Sequence, residues 1–142
     1  QIERGTYQGA NYTGFNGTII SRFDDNWNLV GNPYPSAISV LDFLTLNTNI
    51  DGSVRLWTHT TPPAIIASPF YGTFVQNYTS TDYIVHNGVG TVSGPGSFNG
   101  YIAGGQGFLV NMNDGPASTS TVTFNNSLRS STYNNSNFCY SN

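Results

Sequence analysis

The chain has 142 residues, enough for one domain with a substantial core, and carries a net charge of -3 without a lysine. Charged residues make up 8% and aromatic residues 14%, so solubility has to come from Asn, Ser, Thr and Gly; Arg4, Arg22, Arg55 and Arg129 are too scattered to neutralise phosphates, which excludes nucleic acid as a partner. A lone Cys139 excludes an internal disulfide framework, no Cys or His spacing matches structural zinc, and no apolar run is long enough to span a bilayer.

Taken in chain order, residues 5–13 give a weak strand signal and residues 18–23 a stronger one. The segment Trp27-Asn28-Leu29-Val30-Gly31-Asn32-Pro33-Tyr34-Pro35-Ser36 joins an apolar strand to a rigid turn, because each proline fixes its own φ and pushes the preceding residue toward extended geometry. Ser39-Val40-Leu41-Asp42 is a capping-box-like helix start, and Val40, Phe43 and Leu44 supply one short apolar face before Asn47 ends it. Further strands are predicted at 53–59, 82–87, 107–111 and 119–124. Two long connections separate them, 60–81 with Pro62, Pro63 and Pro69, and the glycine-rich 88–105; connections of such length are commonly functional or pinned by a partner. Short strands between turn signals predict an all-β, antiparallel, jelly-roll-like sandwich with one short helix, occupying residues 1–142 as a single domain. Its expected core is Trp27, Leu29, Trp57, Phe108, Val110 and Phe124, which alternate along the most apolar strands.

Catalytic chemistry has little to stand on. The carboxylates Glu3, Asp24, Asp25, Asp42, Asp51, Asp82 and Asp114 could in principle supply a glycosidase pair, but Asp24-Asp25-Asn26 and Asp114-Gly115-Pro116 read as turns. His59 and His86 each end a predicted strand with no nucleophile motif nearby, which points to surface or cross-strand roles. Asn47, Asn49 and Asp51 ahead of Gly52 mimic the front of a calcium loop, yet Thr58 stands where a bidentate glutamate belongs, and a single carboxylate is little charge for calcium. Gly104-Gly105-Gln106-Gly107 has neither the lysine nor the helix start of a phosphate loop; these glycines suit close backbone packing or a bulge. The expectation is therefore no catalytic residue, no metal and no cofactor.

Binding residues are easier to nominate. Tyr7, Tyr12, Tyr71, Tyr78 and Tyr101 lie in Asn-rich or Gly-rich segments and could stack on sugar rings, although core and protein interfaces use tyrosine equally well. Asn11, Asn16, Asn77, Asn125 and Asn134 begin Asn-x-Ser/Thr triplets, candidate glycan acceptors that an Asn- and Ser-rich composition also produces by chance.

The Trp-Asn-Leu-Val-Gly-Asn-Pro-Tyr-Pro-Ser block, the stretch from Gly100-Tyr101-Ile102-Ala103-Gly104-Gly105-Gln106-Gly107 to Phe108-Leu109-Val110, and Val122-Thr123-Phe124-Asn125-Asn126-Ser127-Leu128-Arg129 occur in an order that resembles a β-rich module of Bacteroidota (flavobacterial-type) surface and secreted proteins, many exported by the type IX system. Leu56-Trp57-Thr58-His59 and Tyr83-Ile84-Val85-His86-Asn87 fill the middle positions. The resemblance implies location and architecture and brings no catalytic residues with it. Relatives of that kind continue past the Asn-Phe segment into an arginine and another strand, whereas here residues 135–142 close the sequence and a C-terminal sorting domain is missing. The chain is thus expected to be either a piece of a longer polypeptide or an incomplete sandwich that a neighbour completes. Beginning at Gln1 rather than methionine is what removal of a targeting segment would leave, and a trimmed chain would look the same.

Together these readings predict a non-catalytic extracellular module serving structure or adhesion at the cell surface, such as a repeating subunit of a cell-surface fibre, with other copies or neighbouring domains as partners through strand edges. The alternative is a carbohydrate-binding module of a secreted polysaccharide-degrading protein. A sugar binder should carry a solvent-open aromatic groove; a fibre subunit should bury its aromatics and edges against neighbours.

Overall fold

A computed structural model describes residues 1–14, 17, 19–58 and 82–133; His59, Tyr71, Tyr78, Asn16, Asn77, Asn134 and Cys139 lie outside the described residues. In chain order the strands are β1 (Ile2–Glu3), β2 (Tyr12–Thr13), β3 (Ile19–Ile20), β4 (Trp27–Gly31) and β5 (Ile38–Ser39), then helix α1 (Val40–Leu46), then β6 (Ile50–Trp57), β7 (Tyr83–His86), β8 (Thr91–Ser93), β9 (Tyr101–Ile102), β10 (Gly107–Met112) and β11 (Thr119–Ser120). The fold is all-β, antiparallel and sandwich-like. One layer is a five-stranded sheet in the order β4-β10-β6-β7-β8, and three two-stranded ribbons, β1-β11, β2-β3 and β5-β9, surround it.

Local signals explain the elements that the sequence predicts well. Pro33 and Pro35 end β4 at Gly31, because neither can donate to a ladder. The Ser39 side chain accepts the Asp42 amide at 3.2 Å and starts α1, and the Asn47 amide closes it on the Phe43 carbonyl. The 107–111 and 82–87 expectations become β10 and β7 within a residue. The 53–59 expectation becomes β6, which starts earlier, at Ile50, whereas within 19–23 only β3 is strand, followed by a turn, and 119–124 contracts to β11. The weak 5–13 signal contracts to β2 at its end, and β1 lies before it. β10 and β11, though consecutive in the chain, are not partners: β10 pairs with β4 and β6 while β11 pairs with β1.

The core lies on one face of the large sheet. Val54, Leu56, Phe108 and Val110 point inward, where Ile38, Val40, Phe43, Ile102, Ile2 and Leu128 cover them. Phe43 from α1 meets Phe108 edge-on at 5.2 Å and Phe124 at 5.4 Å, a geometry that adds about 0.5–1.5 kcal/mol per pair beyond area burial. Phe108, Val110 and Phe124 therefore sit where the sequence predicts. Trp27, Leu29 and Trp57 do not, being 39%, 75% and 44% exposed. The reason is parity. Leu29 pairs with Leu109 and Leu109 with Arg55, so these side chains, and with them Trp27 and Trp57 two positions along, share the face opposite Phe108 and Leu56.

Candidate functional site

That outward face is the most distinctive surface among the described residues. Leu29, Leu109, Arg55 and Val85 follow one another across four strands, with Trp27 on one side of the row and the Trp57–Tyr83 pair on the other. Gly31 pairs with Gly107, so no side chain fills the sheet beside Leu29, and a shallow groove of about 220 Å³ opens there, lined by Leu29, Arg55, Trp57, Tyr83, Gly107 and Leu109. The Arg55 guanidinium lies over the Trp27 ring at 4.0 Å and reaches Asp51 at 3.3 Å. One face of the Trp27 ring is thereby already occupied, at a half-exposed position where such contacts contribute about 0.5–1 kcal/mol. Arg55 is thus a cation held between the Trp27 ring, the Asp51 carboxylate and Ser53 Oγ rather than one projecting into water.

The sheet's edges are less inviting. Along β4 the Asn28 side chain accepts the Glu3 amide at 2.9 Å and donates to the Glu3 carbonyl at 2.8 Å, so β1 covers that edge through a side-chain amide. At the other edge β8 has three residues and a register shift against β7, both features that blunt strand addition.

Behind the face, two stretches distant in sequence lock together at Asn32. Its side-chain amide donates to the carbonyls of Ser36, Ile102 and Ala103 at 2.9, 3.1 and 3.0 Å, while its Oδ1 accepts the Tyr34 amide at 3.0 Å. Its backbone amide donates to the Gln106 carbonyl and its carbonyl accepts the Gly105 amide. Gln106, also buried, accepts the Ala103 amide on Oε1. Gly104 is required here, because a Cβ would lie 2.6 Å from the backbone carbon and oxygen of Pro35. The glycine-rich stretch is thus a close-packing device. Arg129 closes the clasp from outside, its guanidinium 4.7 Å from the Tyr34 ring centre and its Nε donating to Ser36 Oγ at 3.2 Å, beside an open hollow of about 420 Å³.

The nominated binding residues that the structure describes are dispersed. Tyr7 and Tyr12 meet edge-on at 5.2 Å, with the Tyr7 hydroxyl turned onto the Ala10 carbonyl. Tyr101 packs on Tyr133 at 4.7 Å, and the Tyr133 hydroxyl donates to Asp42 Oδ2 at 2.9 Å; that bond to a carboxylate pushes the phenol's pKa up. Tyr12 is half exposed, yet it and Tyr101 belong to different ribbons. Asn11 is exposed; Asn125 caps a 3₁₀ turn at Asn126–Leu128, its Oδ1 accepting from the Ser127 amide and hydroxyl.

The calcium candidates have separate employments. Asn47 donates to the carbonyls of Phe43 and Thr123, Asn49 to Ser120 Oγ and the Thr121 carbonyl, and Asp51 accepts from Ser53 and Arg55. Asp51 and Gly52 lie inside β6, not in a loop. Among the described residues no cluster of three or more His, Cys, Asp or Glu side chains is placed to hold a metal. Asp114 joins two turns: it accepts from Asn26 at 2.8 Å and from Gln8 at 3.2 Å, and it pairs with the half-exposed Arg22 at 2.8 Å. His86 is buried and packs edge-on against Phe98, a cross-strand position rather than a surface one, and desolvation lowers its pKa.

Sequence reasoning missed the asparagines. Read as a solubility device, Asn26, Asn32, Asn47 and Asn111 are instead buried amides that stand in for backbone pairing where short strands leave gaps. The Asn-Pro-x-Pro sequence was the available signal for Asn32, since prolines flanking an Asx turn leave carbonyls that need a donor.

Residues 1–142 match the domain family of unknown function DUF8693, and the chain belongs to that family. No curated protein and no solved structure matches it. No helix of the described residues is long and apolar enough to cross a membrane.

Proposed function

We propose that the chain is a non-catalytic structural and adhesive module of the cell surface, of the type IX-associated kind its motifs resemble, and that it assembles with further copies of itself through the outer face of the five-stranded sheet. The observation that carries the reading is the exposure of Trp27, Leu29 and Trp57 together on one flat face, whose apolar area a solitary domain gains nothing by presenting to water. Sparse charge supports it: with 8% charged residues and no lysine, two copies meet little electrostatic repulsion and little desolvation cost. Contact through the face, rather than the edges, follows from Asn28 covering β4 and from the brevity of β8. Light scattering of the purified chain across concentration tests this. The wild type should gain mass while Leu29→Asp stays a monomer with an unchanged circular dichroism spectrum.

The carbohydrate-binding reading keeps one observation in its favour, the groove between Leu29, Trp57 and Tyr83 with the Arg55 donors beside it. Against it, the Trp27 ring face is taken by Arg55. Polysaccharide binding that Trp57→Ala abolishes, by a chain that stays monomeric at all concentrations, would replace assembly with sugar recognition.

A further inference from the structure

The turn from β7 to β8 brings together three groups, His86, Asn87 and Gly88, that the contact face does not use. Asn87 is exposed, and Gly88, which follows it, has φ +88. The Asn87 side-chain carbonyl oxygen accepts two backbone amides, from Val89 and from Gly90, each at 3.0 Å. The Gly88 amide donates to His86 Nδ1 at 3.0 Å. Nδ1 must therefore be unprotonated and the ring's proton must sit on Nε2. Burial against Phe98 favours the same neutral ring. The residues facing the imidazole from β6, β8 and the loop beyond are Val54, Thr91, Phe98 and Gly100, none of them charged.

These are the components of an intramolecular acyl transfer. We propose that Asn87–Gly88 is a self-modification site, at which the turn cyclises to a succinimide and reopens as aspartate or isoaspartate. His86 Nδ1 takes the Gly88 amide proton while that nitrogen adds to Asn87 Cγ. The developing negative charge falls on Oδ1, which already faces the Val89 and Gly90 amides, an oxyanion-type arrangement. Collapse of the tetrahedral adduct breaks the bond from Cγ to Nδ2, and Nδ2 leaves as ammonia after receiving a proton from the imidazolium. Water then opens the five-membered ring at either carbonyl, giving aspartate or, with the main chain rerouted through the side chain, isoaspartate. Gly88 carries no Cβ to obstruct closure. The product places a negative charge at the tip of a stretch, residues 87–99, that otherwise has none, and isoaspartate lengthens the backbone where β7 hands over to β8. Either change marks the age of a surface module and alters how this end of the sheet meets a neighbour.

Asn99–Gly100 is the internal comparison. The Asn99 Oδ1 accepts the Tyr101 amide at 3.1 Å, and Gly100 faces the Cε1–Nε2 edge of the His86 ring, whose Nδ1 is already taken by the Gly88 amide. The purified chain is incubated at neutral pH, folded and in parallel unfolded in urea. Peptide mass spectrometry follows the gain of about one mass unit that replacing an amide by a carboxyl brings, and isoaspartate is scored at each site. A positioned base typically contributes at least a hundredfold, part of which the folded turn offsets by restraining the Asn87 side chain, so conversion at Asn87 should run about tenfold faster in the folded chain than in the unfolded one. Folded His86→Gln should lose the base's contribution and, still restrained by the turn, fall below the unfolded rate, and Asn99 should lag behind Asn87. Conversion at Asn87 that is no faster folded than unfolded, or no faster than at Asn99, overturns the proposal. Because the wild-type comparison decides this alone, the answer does not depend on His86→Gln folding.

Discussion

The two faces of the central sheet are almost equally apolar in sequence and opposite in fate. Phe108, Val110, Val54 and Leu56 on one side are at most 2% exposed, whereas Trp27, Leu29 and Trp57 on the other are 39% or more. Hydrophobicity does not distinguish them. What does is the covering: α1 delivers Phe43 and Val40 to the inner face, and β5, β9 and β1 deliver Ile38, Ile102 and Ile2. A large apolar side chain on a strand is therefore evidence of a contact, and whether that contact is internal depends on which side the next element lands.

Mutations should separate the faces by an order of magnitude in stability. Phe108→Ala should cost about 3–5 kcal/mol in denaturant melts, from lost burial and the cavity left against Phe43. Leu29→Ala, one position from the partner of Phe108, should change stability by about 0.5 kcal/mol or less while weakening assembly. Equal costs at the two sites would mean that the outer face is internal after all.

Asn32→Ala comes next, at about 3 kcal/mol, because two buried carbonyls and one part-buried carbonyl lose their donor at once and the turn loses its Oδ1 acceptor. Gly104→Ala should cost about 1–3 kcal/mol by pushing Pro35 away. Substituting the exposed Gly105 by Asn, which tolerates its φ of +72, is the matched control and should be nearly neutral in a thermal melt. A smaller effect belongs to His86. Its folded pKa lies below the ordinary 6.5, so the unfolded chain binds the proton more readily; stability is whole above about 6.5 and declines as pH falls from there through the folded pKa. His86→Phe should flatten that part of the pH–stability curve, and an unchanged curve would remove the imidazole from the account.

How far the sequence could be read follows the strength of local chemistry. β4 and α1 were legible because prolines and a serine cap fix their ends without help from the rest of the chain. β5, β8 and β9 were not, since two or three residues such as Ile38–Ser39 carry no periodicity and become strands by pairing with a distant partner, here Tyr101–Ile102. Parity was the other blind spot. Arg55 shares its face with Trp57, which marked that face as outward, while Trp27 and Leu29 form the more apolar side of Trp27-Asn28-Leu29-Val30, whose polar residue, Asn28, lies on the opposite side. The Asn32 clasp unites two motifs about seventy residues apart, Asn-Pro-Tyr-Pro and Ala-Gly-Gly-Gln, and nothing local to either announces the other.

Trp27 and Trp57 are the chain's two tryptophans, and both lie on the outer face, so tryptophan emission reports on that face directly. The decisive measurement is acrylamide quenching of tryptophan fluorescence in the intact chain across the concentration range in which its mass is followed by light scattering. Emission should be red-shifted and readily quenched in the dilute monomer, turning blue-shifted and protected as mass rises. Emission that keeps its position and quenching constant while the mass doubles would place the contact elsewhere and contradict the account.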